Sequence, residues 1–163
     1  MTKIFATIIA FLLMLFPESG TLLAYQQQLA FPGAKVVAEE IVDSIKDGDI
    51  ETLINMYSES AKNTGEVTIE SIESFINFFD SEVVSGKFIG ADGSDYVNHG
   101  TSQSHRQIKI ELKTSRERYI MYATWVITDT ENPEKVGLVQ MTLFDSEGLE
   151  TYIPIAQVPI TKN

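Results

Sequence analysis

The segment Gln107–Lys113 constrains this fold more than any other, because Ile108, Ile110 and Leu112 alternate strictly with Gln107, Lys109, Glu111 and Lys113. A period of two places the aliphatics on one face of a strand and the polar residues on the other. A sheet with one buried and one wet face is therefore expected. Thr114–Glu117 reads as a hairpin turn into a longer strand, Arg118–Thr128. Its odd positions, Tyr119, Met121, Ala123, Trp125 and Ile127, are all apolar or aromatic and are assigned inward, leaving Ile120, Tyr122, Thr124, Val126 and Thr128 outward. Beyond a connection that contains Asn132-Pro133, Val136–Phe144 repeats the pattern, with Val139, Met141 and Leu143 inward and Leu138, Gln140, Thr142 and Phe144 outward. Upstream, Glu82–Ile89 is a candidate strand ended by a Gly- and Ser-containing turn at Gly90–Ser94, with a short strand over Asp95–Asn98.

An apolar sheet face needs a covering layer, and the preceding sequence supplies helices. Val37, Ile41 and Ile45 recur every four residues across Ala34–Lys46, and Gly48 is placed to end that helix in the left-handed region. Asp49 then caps a helix carrying Ile50, Leu53, Ile54 and Tyr57, and Thr68 caps a third carrying Ile72, Phe75, Ile76 and Phe79. The expected class is α+β, with three N-terminal amphipathic helices on a curved antiparallel sheet of about four strands.

Residues 1–24 read as a secretory signal segment: Lys3 precedes an apolar run of 13 residues, Ile4–Phe16, which Pro17, Glu18, Ser19 and Gly20 interrupt before it reaches membrane-spanning length. The expected organisation is a signal at 1–24, a linker at 25–33, one domain at 34–155 and a C-terminal tail at 156–163. The expected location is extracytoplasmic, with the membrane met only through the signal segment before processing. Leu22-Leu23-Ala24-Tyr25 has the form of a lipoprotein box with tyrosine where the lipid-bearing cysteine would stand, so no lipid anchor is expected.

The chain has no cysteine, which removes disulfides, thiolate metal sites and a cysteine nucleophile. A net charge of −11 disfavours general binding to nucleic acid or to anionic membrane. That charge is uneven, because Ser104–Trp125 holds five basic residues against two acidic ones. The outward face is also more apolar than a solvated sheet requires. Ile120, Tyr122, Val126, Leu138 and Phe144 could form one patch, for which a sheet-to-sheet homodimer is one expectation and cover by the Tyr152–Ile155 tail another.

The order of helices before strands, with Asp47-Gly48-Asp49 joining the first two helices, resembles the cystatin-like roll of the nuclear-transport-factor-two-like superfamily. Ile76-Asn77-Phe78-Phe79, the stretch Asp129–Leu138 and Tyr152-Ile153-Pro154 are similar to an uncharacterised family of bacterial secreted proteins and lipoproteins defined only as a domain of unknown function. That likeness covers about Val37 to Ile155 and supplies no catalytic residues. The roll implies a pocket between helices and sheet, in which some members catalyse proton transfer.

Read for chemistry, the residues favour binding over catalysis. No G-x-S-x-G elbow or phosphate loop is present, and His99 and His105, the only histidines, are too few for a zinc shell. No metal or cofactor is implied. Asp129 and His105 are the only titratable groups expected near a pocket rim, and are the catalytic candidates for an isomerase- or dehydratase-type enzyme. Tyr57, Phe79, Tyr119 and Trp125 are the candidates for lining an inner cleft that takes a small molecule or peptide. The leading reading is an exported non-enzymatic binding or interaction module, with a pocket enzyme or a secreted partner protein acting through its sheet face as alternatives.

Overall fold

The computed structural model describes residues 33–79, 81–148 and 150–155. The expected signal at 1–24, nearly all of the expected linker and the expected tail at 156–163 lie outside the described residues. Helix α1 (Ala34–Asp47) ends where Gly48 turns left-handed at φ 67°, which lets the Asp49 amide reach back to the Ser44 carbonyl at 2.8 Å. Asp49 caps α2 (Ile50–Met56), accepting from the Thr52 amide at 3.0 Å and its hydroxyl at 2.7 Å. Helix α4 (Ile69–Asn77) starts at a reciprocal box in which Thr68 and Ser71 each accept from the other's backbone amide.

Among the described residues the helical layer has four segments where three were expected. The extra one, α3 (Glu59–Lys62), is a single turn capped by Ser58, whose Oγ accepts from the Ala61 amide at 3.1 Å. One turn is too short to produce an amphipathic repeat, so nothing in the pattern of apolar residues announces it.

The sheet is an antiparallel meander of five strands, β1 (Val83–Asn98), β2 (Thr101–Thr114), β3 (Arg118–Asp129), β4 (Gly137–Phe144) and β5 (Glu150–Ile155), in that spatial order. The fold is α+β. Beside the expected sheet of about four strands stands the edge strand β5, whose backbone continues the sheet at the edge of β4, pairing Leu143 with Tyr152, and does not lie across the outward face. No break occurs at Gly90–Ser94 either. That segment runs through the middle of β1, where a register shift between Phe88 and Gly90 absorbs one residue, and the reversal comes at His99 and Gly100, both at positive φ.

Two further bulges redirect side chains. The β3–β4 register passes from Thr124 opposite Gln140 to Trp125 opposite Leu138, so Val139 is the extra residue. Leu138, expected outward, is consequently fully buried in the core with Met141 and Leu143. In β3 the register against β2 skips Ile127, which is 44 % exposed although the alternation assigns it inward. The core itself lies where the alternation puts it. Ile108, Ile110, Leu112, Met121 and Ala123 are fully buried beneath Ile41, Leu53, Ile72 and Phe75 of the helices.

Among the described residues, no helix is long and apolar enough to cross a membrane.

Candidate functional site

The inner aromatic candidates are packed against one another. Phe79 and Tyr119 meet edge to face at 5.3 Å, Phe75 joins Phe79 at 5.7 Å and Phe78 approaches Tyr119 at 6.0 Å. Tyr57 is buried within the same core, and Trp125 is half-buried at its margin. Edge-to-face contact at these separations is a favourable arrangement of aromatic rings.

The structure brings the two catalytic candidates to the same end of the sheet, since Asp129 stands opposite Gln103 and His105 lies two residues further along β2. Asp129 is 7 % exposed and its carboxylate is occupied: Oδ1 accepts from the amides of Glu131 at 3.1 Å and Asn132 at 2.8 Å, and Oδ2 from Gln103 Nε2 at 3.4 Å. Burial pushes its pKa up, but the bonds from Asn132, Glu131 and Gln103 outweigh that and hold it below the usual carboxylate range. A carboxylate so held organises the β3–β4 connection and is a poor proton acceptor.

The linkage has a definite sign. With its folded pKa below the unfolded value of about 3.9, Asp129 contributes stability that is present above about pH 4 and lost as pH falls through the folded pKa. Asp129→Asn should therefore cost about 1–2 kcal/mol at neutral pH, and the gap to the parent should close in acid. Urea midpoints at the two pH values measure it; a gap that does not narrow in acid would refute this role.

A second cluster was not legible in the sequence. Arg106, on the inward side of β2 and 7 % exposed, donates to both carboxylate oxygens of Asp95 at 2.8 and 3.0 Å and to the His105 carbonyl at 2.7 Å. Ser104 also donates to Asp95, and that bond first, then Arg106, lowers the Asp95 pKa. The cluster ties β1 to β2 below the exposed hairpin end.

The outward face carries an open hollow of about 730 Å³, within the range of roughly 300–1,000 Å³ usual for small-ligand sites. Ile120, Tyr122 and Phe144 line it, as three of the five residues of the expected outward patch. Of the other two, Leu138 is in the core, and Val126, opposite His105, is buried. Tyr122 and Phe144 stand at 88° with centroids 5.5 Å apart, and Lys109 Nζ sits 5.4 Å from the Tyr122 ring centre. Gln107, Gln140 and Thr142 complete the polar part, and Gln140 Nε2 donates to Thr142 Oγ1 at 3.0 Å. A second cleft at the β2–β3 turn, lined by Lys113, Arg116 and Arg118, shares Asp145 and Ser146 with the hollow, so the two adjoin.

Among the described residues no group of three or more His, Asp or Glu side chains could hold a metal ion.

A helical layer on one side of an antiparallel meander, with a mixed aromatic and amide hollow on the other, defines the chain as a small α+β domain with an open outward sheet face. A family model described as a domain of unknown function (DUF5104) matches residues 40–146, and the chain belongs to that family. No curated protein matches the chain.

Proposed function

We propose that the chain is an exported, non-enzymatic binding module with a cystatin-like roll, and that it works through the outward face of its sheet. The observation that carries this reading is the hollow around Tyr122 and Phe144, in which apolar rings and hydrogen-bonding side chains share one concave surface. Isolated exposed hydrophobics are ordinary on a protein surface, whereas convergent aromatic and amide groups in a hollow of this size mark recognition. Export rests on the apolar run at Ile4–Phe16, and Tyr25 in place of a lipidated cysteine favours release over tethering. The pocket-enzyme alternative is weakened by the occupied Asp129 carboxylate and the packed inner rings.

The test is retention by the envelope fraction of the exporting cell. The parent protein should co-sediment, and a Tyr122→Ser, Phe144→Ser double variant with an unchanged circular dichroism spectrum should be retained about tenfold less. Equal retention of the two proteins would sink this reading.

A further inference from the structure

Strand register arranges the outward face in rows. Gln107, Thr124 and Gln140 form one row, Lys109, Tyr122 and Thr142 the next, and Glu111, Ile120 and Phe144 the third. The hollow thus has an amide end and an aromatic end, about two residues of strand apart. Each amide, and the Thr142 hydroxyl, can donate and accept at once. Charge within the hollow is nearly balanced, although the chain carries −11. Among the described residues Lys109 is the cation lining it, and it lies against the Tyr122 ring. Asp145 is the carboxylate, and it accepts from the Glu147 amide in its own turn at 2.9 Å.

These features discriminate between ligand classes. A phosphate- or carboxylate-rich ligand would find, among the described residues lining the hollow, only Lys109, which is set against a ring; Lys113, Arg116 and Arg118 belong to the adjoining cleft. An acyl chain would cover Gln107 and Gln140 without offering them a partner, which costs more than it gains. A ligand with a flat C–H face and a rim of hydroxyls that each donate and accept satisfies both ends, the C–H face against one ring of the Tyr122–Phe144 pair and the rim against the amides. We infer that the hollow is a binding site for an uncharged saccharide. This rests on the reading of the outward face as the working surface.

The experiment titrates protein expressed from the full-length reading frame with cellotetraose, chitotetraose, xylotetraose and maltotetraose, with tetragalacturonate as the acidic control, following backbone amide resonances. At least one neutral tetrasaccharide should shift the resonances of Gln107, Tyr122, Gln140 and Thr142 saturably, and tetragalacturonate should bind about tenfold more weakly or not at all. Gln140→Leu should weaken that binding about tenfold with an unchanged thermal midpoint, and Tyr122→Ser should abolish it. The inference is overturned if no neutral tetrasaccharide shifts those resonances, if the acidic one binds as well, or if a doubled mass in solution, lost in Tyr122→Ser, shows a second copy closing the hollow. Envelope retention that needs Tyr122 but is not competed by the tetrasaccharides removes the saccharide and leaves the binding module. Retention indifferent to Tyr122→Ser removes both.

Discussion

Gly137→Ala should lower the stability of the domain by about 2–4 kcal/mol, seen as a fall in the urea midpoint at an unchanged denaturant slope. Gly137 opens β4 at φ 123°, a conformation in which a Cβ is strained whatever surrounds it. It is also crowded, since a Cβ there would lie 3.0 Å from both the Met56 carbonyl oxygen and the Ser58 amide nitrogen. Those atoms belong to the end of α2 and to the cap of α3, and the chain between them is stitched to the sheet at this point. Tyr57 forms a parallel bridge with Leu138, and the Ser58 amide donates to the Leu138 carbonyl at 2.8 Å. Ser58 in turn caps α3, so pushing the strand away from it disturbs the bridge and the cap together.

The control is Gly100→Ala. Gly100 has φ 91° at the tip of the β1–β2 hairpin, but a Cβ there meets nothing within 4 Å. It should cost only the backbone strain, about 1–2 kcal/mol. The difference between the two variants isolates the contact between the helical connection and β4. Equal effects would mean that the close approach at Gly137 contributes nothing.

What the sequence made legible, and what it hid, divides along the range of the interactions involved. The caps at Asp49 and Thr68 and the left-handed stop at Gly48 are decided within four residues of chain, and each stands where local chemistry puts it. Ile108, Ile110 and Leu112 are legible for the same reason, because one strand's alternation already states which face is buried. Bulges are different. Whether Val139 or Ile127 is the extra residue depends on how two strands pair, and each slip inverts the assignment of its neighbours; Leu138 went from outward patch to core by one such slip. The glycines of Gly90–Ser94 read as a turn in isolation, yet in the sheet they admit a bulge and the close approach of Arg106. The candidate site follows the same division. Ile120, Tyr122 and Phe144 were visible as an outward patch, but the row of Gln107, Thr124 and Gln140 beside them exists only in the pairing of three strands.

The Arg106 cluster yields the second large effect, and the ordering of its variants is the informative part. The stem of the Arg106 side chain lies against Gly93, where a Cβ would collide with the His105 carbonyl oxygen and come within 2.8 Å of Arg106 Cδ, so glycine admits the side chain along the strand pair. Two residues further along the same face, Asp95 accepts from Arg106 Nη2 with both carboxylate oxygens and neutralises the guanidinium, while Nη1 donates to the carbonyls of Ser94 and His105. Asp95→Ala removes the carboxylate from a buried guanidinium and should cost about 1–3 kcal/mol, less than for a fully enclosed pair because the Asp95 side chain is 61 % exposed and water can take part of its place. Arg106→Met removes the charge while keeping much of the side-chain volume and should cost less. Adding Asp95→Ala to Arg106→Met should then change little, giving a coupling energy close to the cost of Asp95→Ala itself. The acid limb provides an independent reading. The Asp95 pKa is lowered by Ser104 and Arg106, so its contribution is present above about pH 4 and fades as pH falls through the folded value; Arg106→Met should make that fade shallower without abolishing it, because the Ser104 bond remains. If Arg106→Met instead proves the costlier variant, the bonds from the guanidinium to the carbonyls of Ser94 and His105 hold the hairpin, and the carboxylate is incidental.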